Sequence, residues 1–252
     1  MASGEARETA SPWIAGADGY PFGWVVAFMR LDGAEPPRLR GAPDLAAVLD
    51  APEAPRLVAI DMPIGLPERI VGPGRAAEQA VRPLLGGRQS SVFSMPSRAA
   101  VYAADYREAC GVALATSTPP RKVSKQGFML FPKIREIDAL LRARPQDVAR
   151  VFEVHPEVAF WRMNGERALE TPKKVKGRAH PPGLAQRRAL LEAAGIPAAL
   201  VDAERPRGSG PDDHLDALAA LVVAMRLAQR TARGFPEPPE RDAHGLPVAI
   251  WA

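Results

Sequence analysis

Four aspartates and one glutamate stand at positions from which their carboxylates can meet. Asp18 follows the apolar run Trp13-Ile-Ala-Gly-Ala, Asp61 follows Arg56-Leu-Val-Ala-Ile, and Glu153 follows Val148-Ala-Arg-Val-Phe. Each is read as ending a strand just before a turn, where a carboxylate is costly unless a partner or a cation receives it. In open α/β sheets, ligands collect beyond the carboxyl ends of strands. Asp213 and Asp216 lie three residues apart in Asp212-Asp-His-Leu-Asp-Ala-Leu-Ala-Ala220. On a helix they share a face of the first turn, while Leu215, Leu218 and Val222 point to a core. Such carboxylates repel one another unless a cation sits between them, and hard divalent ions such as Mg²⁺ or Mn²⁺ take oxygen ligands of this kind. A pair of ions would clamp the attacking and leaving oxygens of a phosphodiester displacement. The pattern makes Asp18, Asp61, Glu153, Asp213 and Asp216 candidate metal ligands.

Each of these residues also has a plainer use. Asp18 and Asp61 could cap turns, Asp212 has the place of a helix N-cap, and Asp213 suits the positive end of a helix. His155, in Glu153-Val-His-Pro-Glu157, could orient a water, contact a phosphate or be a satisfied structural histidine, and Glu157 reads as a helix-dipole partner. Lys173, Lys174 and Lys176 could neutralise phosphates or remain solvated. Arg187 and Arg188 read as an exposed helix face, and Lys133, Glu136 and Asp138 as a surface ion-pair set. Other chemistries fare poorly. Ser90 and Ser91 lack a G-x-S-x-G turn, there is no P-loop or strand-linked G-x-G-x-x-G, and the four histidines form no H-x₃-H pair.

The elements that must position these groups follow from hydrophobic pattern and turn residues. Trp13–Asp18 and Trp24–Met29 flank the turn-rich Gly19-Tyr-Pro-Phe-Gly23, which predicts an antiparallel hairpin. A short strand at 38–40, a helix over 44–50 and a buried strand over 56–60 give the order β-β-β-α-β. Helical stretches near 75–85, 98–110 and 124–143 are separated by Gly- and Pro-rich patches and read as an insertion over 66–149 packed on a core sheet. A strand over 148–153, a helix through Trp161, a basic loop over 165–183 and helices near 184–194 and 212–230 complete the pattern. Residues 1–11 read as a disordered leader, leaving 12–252 as one domain.

Composition bounds the answer. With 252 residues, 46% apolar and 25% charged, and a mean hydropathy of -0.14, the chain can bury a core. No stretch approaches the about 20 apolar residues of a membrane span, and no secretory signal is evident at the start, so the cytoplasm is the expected location. One cysteine, Cys110, excludes internal disulfides and multi-thiolate sites. The net charge is only +4, but residues 62–188 hold 22 basic and 11 acidic side chains. That block suits a polyanion between acidic flanks, although ordinary solvated helix surface would look the same.

An Asp in the first strand of a hairpin, an Asp ending a later strand, and Asp-x-x-Asp-Ala-Leu-Ala opening a C-terminal helix resemble the RNase H-like superfamily, particularly its Holliday-junction resolvase branch. More closely, Asp61-Met-Pro-Ile-Gly-Leu-Pro67, Ser91-Val-Phe-Ser-Met-Pro96, Glu153-Val-His-Pro-Glu157, Asp212-Asp-His-Leu-Asp-Ala217 and Gly245-Leu-Pro-Val-Ala-Ile-Trp251 resemble the DUF429 family, a group of predicted nucleases. The likeness runs from about Trp13 to Trp251. It implies an α/β fold, an RNase H-like mixed sheet flanked by helices with a helical insertion, and a metal-dependent nuclease. Asp18, Asp61, Asp213 and Asp216 would be the ligands, and Glu153 has no clean equivalent. The family's Arg-Arg-Ser-Ser-Val-Phe loop reads Gly87-Arg-Gln-Ser-Ser91 here and Glu78 replaces an Asp before it, so Arg88 joins His155, Lys173 and Lys174 as expected substrate contacts. DNA or RNA would be the partner, and a homodimer would follow by analogy with resolvases. Two alternatives stand: an enzyme acting on a small phosphorylated metabolite or nucleotide, and a non-enzymatic nucleic-acid-binding or regulatory protein.

Overall fold

The computed structural model describes residues 12–252, so the expected leader over 1–11 lies outside the described residues. At its centre is a five-stranded mixed sheet: β1 (Trp13–Tyr20), β2 (Gly23–Arg30), β3 (Arg38–Ala42), β4 (Leu57–Asp61) and β5 (Val151–Glu153), in the order β3-β2-β1-β4-β5. The β1–β2 and β2–β3 pairs are antiparallel, and β1–β4 and β4–β5 are parallel. This mixed sheet flanked by helices is consistent with an RNase H-like α/β fold. Among the described residues, no helix is long and apolar enough to cross a membrane.

The period of two along a strand sorts the central residues onto two layers. Trp13, Ala15 and Ala17 of β1, with Val58 and Ile60 of β4, pack beneath the helices between β4 and β5, where Phe131, Ile134, Ile137 and Leu141 supply the opposing surface. Ile14 and Ala59 face the other way, onto Leu215, Leu218, Ala219 and Val222 of the long C-terminal helix. Asp18 shares the parity of Ile14, and Asp61 that of Ala59. Both carboxylates are thereby directed to the layer of the C-terminal helix.

Six helices frame the sheet and its acidic end: α1 (Leu45–Leu49), α2 (Ala76–Val81), α3 (Phe131–Ala143), α4 (Pro156–Met163), α5 (Pro181–Ala193) and α6 (Pro211–Ala228). α6 crosses β1 at Gly16. A Cβ there would stand 2.1 Å from the Leu221 nitrogen and 2.4 Å from the Ala217 oxygen, so only glycine permits this approach.

Several boundaries differ from the sequence pattern. β1 runs two residues past Asp18, so that aspartate lies inside the strand. The stretch 98–110 is two helices, Arg98–Val101 and Tyr106–Thr116, because Asp105 restarts the chain by accepting a hydrogen bond from the Glu108 N–H at 2.9 Å. Residues 145–150 form a 3₁₀ turn begun by Pro145, leaving only Val151–Glu153 to pair as strand. The basic loop contains a two-residue ribbon, Lys174–Val175 against Arg178–Ala179. The C-terminal hairpin, Gly234–Arg241 against Pro247–Trp251, has no counterpart in the sequence pattern. Its first strand carries three prolines, which argue against a strand in sequence but are accommodated in a two-stranded ribbon with an irregular register.

Candidate metal centre

Parallel pairing sets Asp18 of β1 directly beside Asp61 of β4. The close contact at Gly16 then brings α6 down so that Asp216, one turn into the helix, meets them from above. One carboxylate oxygen from each of Asp18, Asp61 and Asp216 lies within 4.8 Å of the others. Asp18 and Asp216 are buried, at 6% and 3% exposure, and Asp61 is partly open to the cleft.

Three carboxylates this close raise one another's proton affinity. Burial, then Asp61 and Asp216, hold the Asp18 carboxyl well above the usual carboxylate range. Burial and the charge of Asp216 push Asp61 up to about 8, although a side-chain hydrogen bond with Asp18 opposes the rise. Burial raises Asp216 to about 6, and the Lys173 ammonium, ion-paired to its Oδ2, limits that shift. Lys173 is thus a tethered cation inside the acidic cluster.

The loop carrying Lys173 is held by α5. His180 donates its backbone N–H to the Lys173 carbonyl at 2.9 Å, and Arg187 Nη1 donates to the Thr171 carbonyl at 3.0 Å. Gly183 lets the loop touch the helix, since a Cβ there would fall 1.9 Å from the Pro172 oxygen. Arg187 is fully buried and pairs with Glu157 of α4 at 2.6 Å. Arg187 and Glu157 therefore brace the site from inside the protein; this overturns the solvent face expected of Arg187, while Glu157 does lie in the first turn of α4, as expected of a helix-dipole partner. Arg188 is partly exposed and pairs with Asp202.

The other candidates separate. Asp213 lines the same cleft, but its Oδ2 accepts the Gly210 N–H at 2.7 Å and so caps α6. Asp212, expected as the cap, is instead buried, pairs through Oδ2 with Lys174 at 2.5 Å, and leaves Oδ1 without a partner. Gly210, with extended backbone, is the N-cap residue, so the cap expected of Asp212 is made by Asp213, and neither aspartate belongs to the triad of Asp18, Asp61 and Asp216. Glu153 lines the cleft wall but its oxygens are occupied: Oε1 by Arg75 Nη2 at 2.6 Å, and Oε2 by the Ile64 N–H at 2.7 Å and Arg75 Nη1 at 3.0 Å. It fixes the loop after β4 and lies outside the acidic triad. Arg75, fully buried and also paired with Glu78, carried no signal in the sequence pattern. Arg88 does not line the cleft, because the 82–91 turn reaches its wall only at its last residue, Ser91, followed by Val92 and Phe93. Lys133, Glu136 and Asp138 are not a surface set. Lys133 lies 4.6 Å from the Trp24 ring centroid, Glu136 accepts from Trp24 Nε1 at 3.0 Å, and buried Asp138 pairs with Arg98.

His155 stands at the start of α4 with its Nε2 3.2 Å from the Ser91 carbonyl oxygen. A carbonyl only accepts, so Nε2 carries the hydrogen and Nδ1 keeps its lone pair. Burial lowers the pKa of this imidazole, which favours the neutral form. Nδ1 is buried without a partner, as are Asp216 Oδ1, Asp212 Oδ1 and Glu157 Oε2. All four residues line one cleft of about 400 Å³, together with Lys173 and Lys174. Unpaired buried acceptors on a common cleft point to a missing cation or donor. An all-oxygen donor set with one imidazole at its edge suits a hard divalent ion.

No curated protein and no solved structure matches the chain significantly. The family model described as "Protein of unknown function (DUF429)" matches residues 16–241, a span containing Asp18, Asp61 and Asp216, and the chain belongs to the DUF429 family.

Proposed function

We propose that this protein is a metal-dependent nuclease that hydrolyses phosphodiester bonds of DNA or RNA, using Mg²⁺ or Mn²⁺ held by Asp18, Asp61 and Asp216. The observation that carries the reading is the convergence of three carboxylate oxygens within 4.8 Å, with Asp216 Oδ1 and Asp212 Oδ1 buried and unpartnered beside them. A bound divalent ion would neutralise charge at the phosphoryl group and make a water more acidic. The remaining work falls to the chain. Asp18 and Asp61 are positioned by strand register, so their separation is set by the sheet. Asp213 keeps the first turn of α6 in place through its bond to Gly210. His155 Nδ1, buried in the cleft wall without a partner on an imidazole that burial keeps neutral, would serve as acceptor for a proton from an attacking water. Lys173 and Lys174, which pair with Asp216 and Asp212, offset the acidic charge and would be the cations that turn to the phosphate oxygens were a metal ion held by Asp18, Asp61 and Asp216. The basic excess over residues 62–188 supports a polyanionic partner.

The test is cleavage of a labelled panel of duplex DNA, single strand, four-way junction, RNA and RNA–DNA hybrid, with Mn²⁺, Mg²⁺ or EDTA, beside Asp18→Asn and Asp216→Asn. Cutting that needs the metal and is lost in both variants is expected. No cutting together with no Mn²⁺ uptake by calorimetry would sink the proposal. Nucleic-acid binding indifferent to metal would then favour a binding protein, and hydrolysis confined to small phosphorylated compounds a different substrate class.

A further inference from the structure

A second cavity, of about 360 Å³, adjoins the acidic cleft and differs from it in chemistry. Val92, Phe93 and Met95 line both, so the Ser91–Pro96 segment is a shared wall. No carboxylate lines the second cavity. Arg121 and Lys122 do, both exposed, and among the described residues neither side chain has an ion-pair partner. A further guanidinium lies behind the wall: Arg82 donates to the Pro73 carbonyl at 2.8 Å and to Ser94 Oγ at 3.0 Å. Burial lowers the Arg82 pKa, Glu78 opposes this, and the positive charge of Arg121 lowers it further, so the two guanidinium groups feel each other. Uncompensated cations on a concave, polar wall with no acid among its lining residues are the electrostatic arrangement for an anion.

We infer that the cavity lined by Ser90, Arg121, Lys122 and Gln126 is a phosphoryl-binding subsite, which takes a phosphate of the same ligand next to the one over Asp18, Asp61 and Asp216. The inference extends the nuclease reading of the acidic cleft, and on that reading the ligand carries at least two phosphates, one on each side of the Val92–Phe93 wall. An oligonucleotide offers this repeat along its backbone, and a short inorganic polyphosphate offers the same chemistry without bases.

Binding without catalysis separates the two readings. In EDTA, a fluorescein-labelled single-stranded 12-nucleotide DNA is titrated by anisotropy at several salt concentrations, and unlabelled pyrophosphate is titrated by calorimetry. The proteins are the full chain, Arg121→Ala/Lys122→Ala, and Arg56→Ala, which removes a cation beside the start of β4, at the opposite end of that strand from Asp61. One phosphate contact on a single strand carries a log–log salt slope of about 0.7. The double variant is expected to lose that much slope and to bind about tenfold more weakly at low salt, with Arg56→Ala unchanged. Loss of pyrophosphate binding in the double variant, with the oligonucleotide unbound by every protein, would support the subsite and assign it to a small polyphosphate. Equal slopes and affinities for the double variant and the full chain, or no binding of either probe, would overturn it. Metal-dependent cleavage is read separately, so a subsite that binds in a chain that does not cut leaves the inference standing and removes only the nuclease reading.

Discussion

Replacing Asp61 by Asn should reverse the order of stability of the two proteins when metal is added. Without metal, burial and Asp216 raise the Asp61 carboxyl from 3.8 to about 8. At 1.36 kcal/mol per pH unit, a shift of about 4 units sets a ceiling near 6 kcal/mol on the cost of that carboxylate at pH 8. Asp61 is partly open to water and shares protons with Asp18 and Asp216, so the realised cost is about 2 kcal/mol. Asn has the same shape and no charge, and its amide can donate to Asp18. In EDTA at pH 8 the variant should melt about 4–8 °C higher than the natural chain. With Mn²⁺ at about 100 times its Kd, the natural chain should gain about 2.7 kcal/mol, or about 5–10 °C, while the variant gains little. Differential scanning fluorimetry in the two buffers reads both effects. A variant that melts below the natural chain in EDTA, with a natural chain that Mn²⁺ does not shift, would refute the argument that these carboxylates are strained for lack of a cation.

Because Asp18, Asp61 and Asp216 hold protons in the folded state that the unfolded chain releases near pH 4, the metal-free protein should lose stability as pH rises from about 4 to about 8. Urea titrations in EDTA at pH 5, 6, 7 and 8 should show the midpoint falling, and saturating Mn²⁺ should flatten the trend; a midpoint that climbs over this range contradicts it. Arg187→Met leaves Glu157 charged and buried without its partner, and should cost about 3–5 kcal/mol. Adding Glu157→Gln should recover much of that loss in thermal melts, and a double variant no better than the single would mean that the pair does not act as a unit.

The site was legible in sequence to the extent that local rules carry long-range information. The period of two in Trp13–Asp18 and Leu57–Asp61 is enough to put both aspartates on one face, and the apolar stripe of Leu215, Leu218 and Val222 turns α6 towards it. Asp213 makes the cap expected of Asp212 because neighbouring aspartates at a helix start are equivalent in pattern. Their roles are separated only by where the cap falls, at Gly210, and by Lys174 arriving from a distant loop. Arg75, Arg98 and Arg187 were invisible for a related reason. Arginine in sequence reads as surface, and each is buried with acids 3 to 144 residues away. The C-terminal hairpin is concealed by its prolines, although its Asp242 receives Arg98 Nη2 at 2.5 Å and the Leu66 N–H at 2.9 Å and so holds the loop after β4.

The contact at Gly16 governs how the cleft responds to what enters it. Strand and helix meet there backbone to backbone, without side chains between them to compress or rotate. The span from Asp18 to Asp216 therefore behaves as a fixed gauge, already set before any ion arrives. On the opposite side, Lys173 reaches Asp216 from a loop on a long, flexible stem. On the metal-binding reading, adjustment would fall to that side, so the cleft would work as a caliper with one stationary jaw: size selection would come from the sheet and α6, and exchange of occupant from the lysine loop.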